Sequence, residues 1–126
     1  HALHVLAHAG YYDYGGIETD PAERDRIAAA VGDYNVLFLR NHGLIAMGKT
    51  PGETFMWMYR AERACRMQLA VQQAGAETVS LPDEVVEETL ERNRFLNSEQ
   101  GYRPIGVNEW PALRRKLDRI DPSYKT

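Results

Sequence analysis

The sequence predicts an α/β domain built on a mixed sheet, and three observations carry that reading. Two helix starts share one grammar, Asp20-Pro21-Ala22-Glu23 and Thr50-Pro51-Gly52-Glu53, each a capping side chain followed by proline. Between them runs Val36-Leu37-Phe38-Leu39, apolar throughout, as befits a strand buried on both faces. Asn41-His42-Gly43 then separates that run from a second one, Leu44-Ile45-Ala46-Met47, with residues suited to a tight turn.

In chain order, residues 1–8 read as a helix ending near Gly10, with Leu3, Val5 and Leu6 as its apolar residues. Tyr11-Tyr12-Asp13-Tyr14 reads as a short extended piece, and Gly15-Gly16 as the turn after it. Asp20 can accept from the orphan N–H groups of the next helix, Pro21 fits its first position, and Glu23 completes a box-like cap. That helix runs to about Val31 and stops at Gly32. Residues 35–40 form the buried strand and residues 44–47 its neighbour. The longest helix begins at Thr50-Pro51 and reaches Gln73 before Gly75.

Phe55, Met58, Cys65 and Leu69 share one face of that helix, beside Ala61 and Ala64, and are expected to pack on the sheet. Arg60, Glu62, Arg63 and Arg66 are left for a solvated or subunit-contact face. Pro82 opens a Glu-rich, exposed helix to about Asn97, and residues 100–107 form a loop. Asn108 caps a last helix from Trp110 to Ile120, which Asp121-Pro122 ends. The order is helix, strand, helix, strand, strand and three helices, which suits α/β packing.

Composition narrows the function classes. The 126 residues make one domain's worth of chain, or part of a larger one, and 44% hydrophobic with 26% charged residues is ordinary for a folded soluble protein. A net charge of −3 leaves no basic footprint for nucleic acid. A single cysteine, Cys65, allows no intramolecular disulfide and points to a reducing, cytoplasmic setting. No apolar run approaches the roughly 20 residues that span a bilayer, so no membrane partner is expected. The first residue is His1 rather than Met, which suggests a fragment or a processed product.

Among the candidate residues, His42 stands apart. Turn chemistry accounts for Asn41 and Gly43 but not for an imidazole held by backbone on both sides, the way a fixed metal ligand or base is presented. His1, His4 and His8 are spaced i, i+3, i+7 and would share a helix face, either as surface histidines or as a metal-binding face. Arg40 and Lys49 flank the hairpin as solvated charges or as contacts to a phosphate from a neighbouring subunit. Tyr11, Tyr12 and Tyr14 read as core or turn packing, with a phenol proton donor as the sharper alternative. Asp13 and Glu18 are explained by the glycine turn beside them. Tyr124, in the tail, either frays or closes over a site in the assembled protein. The Gly15-Gly16 pair is too short for a phosphate loop, and Ser80, Ser98 and Ser123 lack a nucleophile-elbow context.

Taken together, residues 36–48, then Thr50, Glu53 and Phe55, then Glu62-Arg63-Ala64-Cys65, resemble the class II aldolase/adducin head domain family. Tyr14-Gly15-Gly16-Ile17 and Glu109-Trp110-Pro111-Ala112-Leu113 resemble its bacterial, adducin-like branch. The resemblance implies a three-layer α/β/α sandwich around a mainly antiparallel central sheet, usually in a homotetramer. It implies a lyase that cleaves or forms carbon–carbon bonds in phosphorylated sugars or similar hydroxy-carbonyl compounds, using a divalent metal, usually zinc. Such a metal stabilises the enediolate charge left by cleavage, and three neutral imidazoles leave positions open for substrate. The histidine of the Asn-His-Gly-Leu turn is the third ligand in that pattern, so the resemblance makes His42 a metal ligand.

One departure matters. The family's other two histidines form a His-x-His pair well before this turn, and these 126 residues contain no such pair. Residues 1–126 therefore resemble the C-terminal portion of a single domain of this type, with one matched ligand of three. Two readings follow: a metal-dependent aldolase-type lyase to which this chain supplies one ligand, or a non-catalytic, adducin-like interaction or scaffold domain.

Overall fold

The structure is a computed structural model and describes residues 2–16, 20–101 and 104–125. His1, Ile17 and Glu18 lie outside the described residues, as do residues 102 and 103 of the expected loop. The elements are α1 (Ala2–Leu6), β1 (Ala9–Tyr12), α2 (Pro21–Val31), β2 (Val36–Leu39), β3 (Gly43–Ala46), α3 (Pro51–Ala74), α4 (Asp83–Asn97) and α5 (Glu109–Ile120). A short 3₁₀ turn, Ser123–Lys125, follows.

The three strands lie in the order β1-β2-β3. β1 pairs parallel to β2, with Ala9 opposite Val36 and Tyr12 opposite Leu39. β2 pairs antiparallel to β3, with Leu39 opposite Gly43 and Val36 opposite Ala46. β2 is thus paired on both edges. Its side chains alternate between two cores, as strand geometry requires. Val36 points to a cluster with Val5, Met56, Trp57, Ala61 and Ile105, against which Phe38 also packs. Leu37 and Leu39 join Val31 on the other side, with Ile27 and Ile45 against them. Helices α1 and α3 cover the first face and α2 the second, so the architecture is the expected α/β/α sandwich, carried by a small sheet.

Both proline-led starts form. Asp20 Oδ1 accepts from the Ala22 N–H at 3.0 Å, and Thr50 Oγ1 accepts from the Glu53 N–H at 3.1 Å. α3 ends where expected, with Gly75 left-handed at φ 60°. β1 begins at Ala9, in residues that read as the end of the first helix. Its extended state is imposed by the β2 ladder rather than by local propensity, which a Gly-containing segment supplies weakly.

The buried face of α3 is not the expected one. Gly52, Met56, Trp57 and Ala61 are buried, whereas Phe55, Met58 and Leu69 are exposed and Cys65 is half-buried. Apolar residues occur on both sides of this helix, so spacing alone did not select between them. Trp57 decides it, with 1% of its surface exposed and the largest volume in the core. Phe55 instead meets Trp110 of α5, ring centroids 5.6 Å apart. α5 comes close enough at Gly52 that a Cβ there would lie 2.7 Å from Cβ of Trp110. Asn108 precedes α5 without a side-chain capping bond.

Helix α4 has no buried residue and is fastened by polar contacts. His4 Nδ1 donates to Asn93 Oδ1 at 2.6 Å, and the Arg60 guanidinium donates to His4 Nε2. Arginine has no acceptor, so this arrangement selects the neutral Nδ1–H tautomer of His4. His8 Nε2 lies 3.3 Å from Asn97 Nδ2 and 3.5 Å from the Asn93 carbonyl oxygen, and Arg94 Nε donates to the Ala7 carbonyl at 3.1 Å. Both imidazoles lie on Trp57, His8 with centroids 4.6 Å apart.

Two predictions follow from this layer. Trp57→Ala should lower stability by about 3–5 kcal/mol in urea denaturation, the usual range for deleting a buried large aromatic; a change under about 1 kcal/mol would be at odds with Trp57 as the centre of this core. Burial holds His4 and His8 below the ordinary imidazole value of 6.5, with Arg60 pushing the same way and the imidazoles' hydrogen bonds to Asn93 oxygens opposing. Both rings are therefore more easily protonated in the unfolded chain. Stability should be full above about pH 6.5 and fall as pH drops through the folded-state values. A Tm that is flat from pH 7 to 5, or the same slope in a His4→Gln/His8→Gln variant, would count against this linkage.

Candidate functional site

The site grows from the carboxyl ends of β1 and β2, which run parallel and so deliver their following loops to one edge of the sheet. In open α/β sheets that edge is where ligand crevices form. Tyr12 is held there by the ladder and by the Arg40 N–H donating to its carbonyl at 2.9 Å. After β2 the chain turns through Arg40, Asn41 and His42, closed by the His42 N–H donating to the Leu39 carbonyl at 3.0 Å.

Among the described non-glycine residues, only Asn41 has positive φ, at 61°. Asparagine tolerates that region better than most residues. Gly43 does not use it, so the turn's left-handed step rests on Asn41. His42 is exposed at the tip, and its ring lies 4.1 Å from that of Tyr14, centroid to centroid. Tyr14, Arg24, Ile27, Leu39 and His42 line an open cleft of about 380 Å³ together with the start of β3.

Glu23 supports this edge from α2. It is 3% exposed, the one buried charged residue among those described. Its Oε1 accepts from the Gly15 N–H at 2.9 Å, and its Oε2 accepts from the Tyr12 hydroxyl at 3.0 Å. Arg26 completes the set, donating to Oε2 from Nε at 2.9 Å and from Nη2 at 2.6 Å. The Gly15 N–H, then Arg26, hold this carboxyl below its ordinary value, so it is ionised at neutral pH. The sequence reading gave Glu23 a capping role; its carboxylate instead serves the loop after β1, and Asp20 caps α2.

The other sequence candidates fall elsewhere. His4 and His8 are committed to α4 and Trp57 on the opposite face, and His1 lies outside the described residues. Arg40 Nε sits 3.5 Å from Asp13 Oδ1, both side chains exposed. Lys49 pairs with Glu99 beyond α4, away from the cleft. The Tyr124 hydroxyl donates to Asp118. Burial, then Glu62, pushes the Cys65 thiol up, which leaves it a poor nucleophile. Arg24 and Glu23 were missed as site residues, because nothing in the spacing of α2 shows which of its side chains meets the hairpin. No described helix is long and apolar enough to cross a membrane.

The family model for the class II aldolase and adducin N-terminal domain matches residues 1–69. The chain belongs to the class II aldolase and adducin family. A Caulobacter vibrioides protein whose name places it with class 2 aldolases is 37% identical over 98% of this chain and 47% of its own length. Adducin-related protein 1 of Caenorhabditis elegans is 33% identical over 93% of this chain and 17% of its own length. The crystal structure of an aldolase II superfamily protein from Pseudomonas syringae superposes with a TM-score of 0.83, at 34% identity over 98% of this chain and 48% of that one. An L-fuculose 1-phosphate aldolase from Glaciozyma antarctica shares the fold, with a TM-score of 0.64 at 17% identity over 96% and 42%. The chain thus spans about half the length of the bacterial proteins it matches.

The turn generates its own test. Asn41→Gly should leave stability within about 0.5 kcal/mol, while Asn41→Val should lose about 1–2 kcal/mol, because a β-branched residue resists positive φ. Equal midpoints for the two variants in chemical denaturation would mean that the hairpin does not depend on this conformation.

Proposed function

We propose that this chain forms part of a metal-dependent, aldolase-type lyase acting on a phosphorylated sugar or similar hydroxy-carbonyl compound, with His42 as one metal ligand. The observation that carries the reading is the placement of His42: an exposed imidazole at the tip of a rigid hairpin, at the carboxyl ends of two parallel strands, over a cleft. Arg24 across that cleft suits an anionic substrate group such as a phosphate. The sugar-phosphate class is further supported by the fold shared with L-fuculose 1-phosphate aldolase.

The donor set present is incomplete. A catalytic zinc takes three protein ligands, and no group of three or more His, Cys, Asp or Glu suited to a metal occurs among the described residues. One imidazole does not hold the ion, so the reading places the remaining ligands on other sequence or on another subunit. We assign residues 1–126 to the C-terminal portion of a single domain of this type, and the working assembly to a cytoplasmic homotetramer with zinc as its metal.

A second reading is an adducin-like interaction domain that keeps the fold without the chemistry. It is favoured by the relationship to adducin-related protein 1. Metal analysis by mass spectrometry on the assembly that joins this chain to the sequence or subunit supplying the other ligands, beside the same assembly carrying His42→Ala, separates the two. About one divalent ion per chain, lost in the variant, is the expected result. Metal-free samples with the fold intact would transfer the case to the interaction domain.

A further inference from the structure

We propose that Glu23 is a positioning residue for His42, acting through the loop after β1. This rests on the reading of His42 as the working group of the site. The chain of contacts is short. Glu23 Oε1 accepts from the Gly15 N–H at 2.9 Å, which pins the residue next to Tyr14. The Tyr14 ring then lies 4.1 Å from the His42 ring, tilted by 33°. On its other oxygen Glu23 is locked by the Tyr12 hydroxyl and by Arg26 from its own helix, so the carboxylate has little freedom to follow the loop.

The fit is close from the loop's side as well. A Cβ at Gly15 would meet the Glu23 carboxylate at 3.0–3.1 Å, a distance that few real Cβ contacts show. His42 itself is exposed, and the turn fixes its backbone rather than its ring. The Tyr14 ring, packed against Val31, Leu37 and Leu39 and tied through the Gly15 backbone to a buried, ionised carboxylate, is one restraint on the His42 ring. Burying a carboxylate is unfavourable unless it is fully paired, and three donating groups from three places in the chain satisfy this one. Such an arrangement does more than cap a helix, a task Asp20 already performs.

The test reads ring geometry and not metal, so it can fail independently of the lyase reading. Histidine imidazole proton signals are recorded by NMR in the parent, Tyr14→Leu, Glu23→Gln and Glu23→Asp proteins, with His42→Ala for assignment. Tyr14→Leu removes the aromatic shielding of His42 and sets the scale. Glu23→Gln replaces one acceptor oxygen by a donor, and Glu23→Asp draws the carboxylate back from Gly15. Both should move the His42 signals most of the way to their Tyr14→Leu positions, while His4 and His8, on the far side of the sheet, stay in place. A readout confined to His42 is what a merely structural role would not give. Unmoved His42 signals in either folded variant would overturn the assignment. So would signals of all histidines shifting together, or loss of the native spectrum in both variants, since Glu23 would then act on the fold and not on the ring.

Discussion

Everything in this domain depends on the burial of β2. Four residues, Val36–Leu39, are paired on both edges and covered on both faces, so each successive side chain is committed to a different core. A one-residue slip would send Val36 and Leu37 to the wrong layers and misplace every partner at once. That commitment fixes where β2 ends. Its end fixes the hairpin, and the hairpin fixes His42. The site is therefore an extension of the sheet register and not a free loop.

The second constraint is electrostatic. A buried, ionised Glu23 ties α2, the end of β1 and the loop at Gly15 to one point. Removing any single donor leaves a buried carboxylate partly unpaired, which is more disruptive than never having built the pair. The hydrophobic register sets the coarse position of the cleft, and this carboxylate sets the arrangement along its edge.

The readable parts were those decided locally. Asp20-Pro21 and Thr50-Pro51 specify helix starts within four residues, and both form as the sequence indicates. Asn41-His42-Gly43 between apolar runs specifies the hairpin, and Asn41 adopts the left-handed step there. What escaped was decided at a distance. β1 starts at Ala9 because Val36 lies opposite, not because Ala9-Gly10 favours extension. The face of α3 was misassigned because Phe55 and Met58 are as apolar as Met56 and Trp57, and only the sheet selects between them. Glu23 follows an N-terminal capping pattern, and no local rule reveals that its carboxylate reaches back to Gly15 and Tyr12.

The fastening of α4 has a consequence for how the molecule comes apart. This helix contributes no buried side chain and is attached by directional bonds from Asn93, Asn97 and Arg94 to His4, His8 and the Ala7 carbonyl. Such bonds specify an orientation without adding much adhesion. With only Val86 and Leu90 half-buried on its apolar side, α4 is expected to open at a smaller denaturant dependence than the whole fold, as a subglobal event. Such an opening would leave the sandwich beneath, with β2 at its centre, intact.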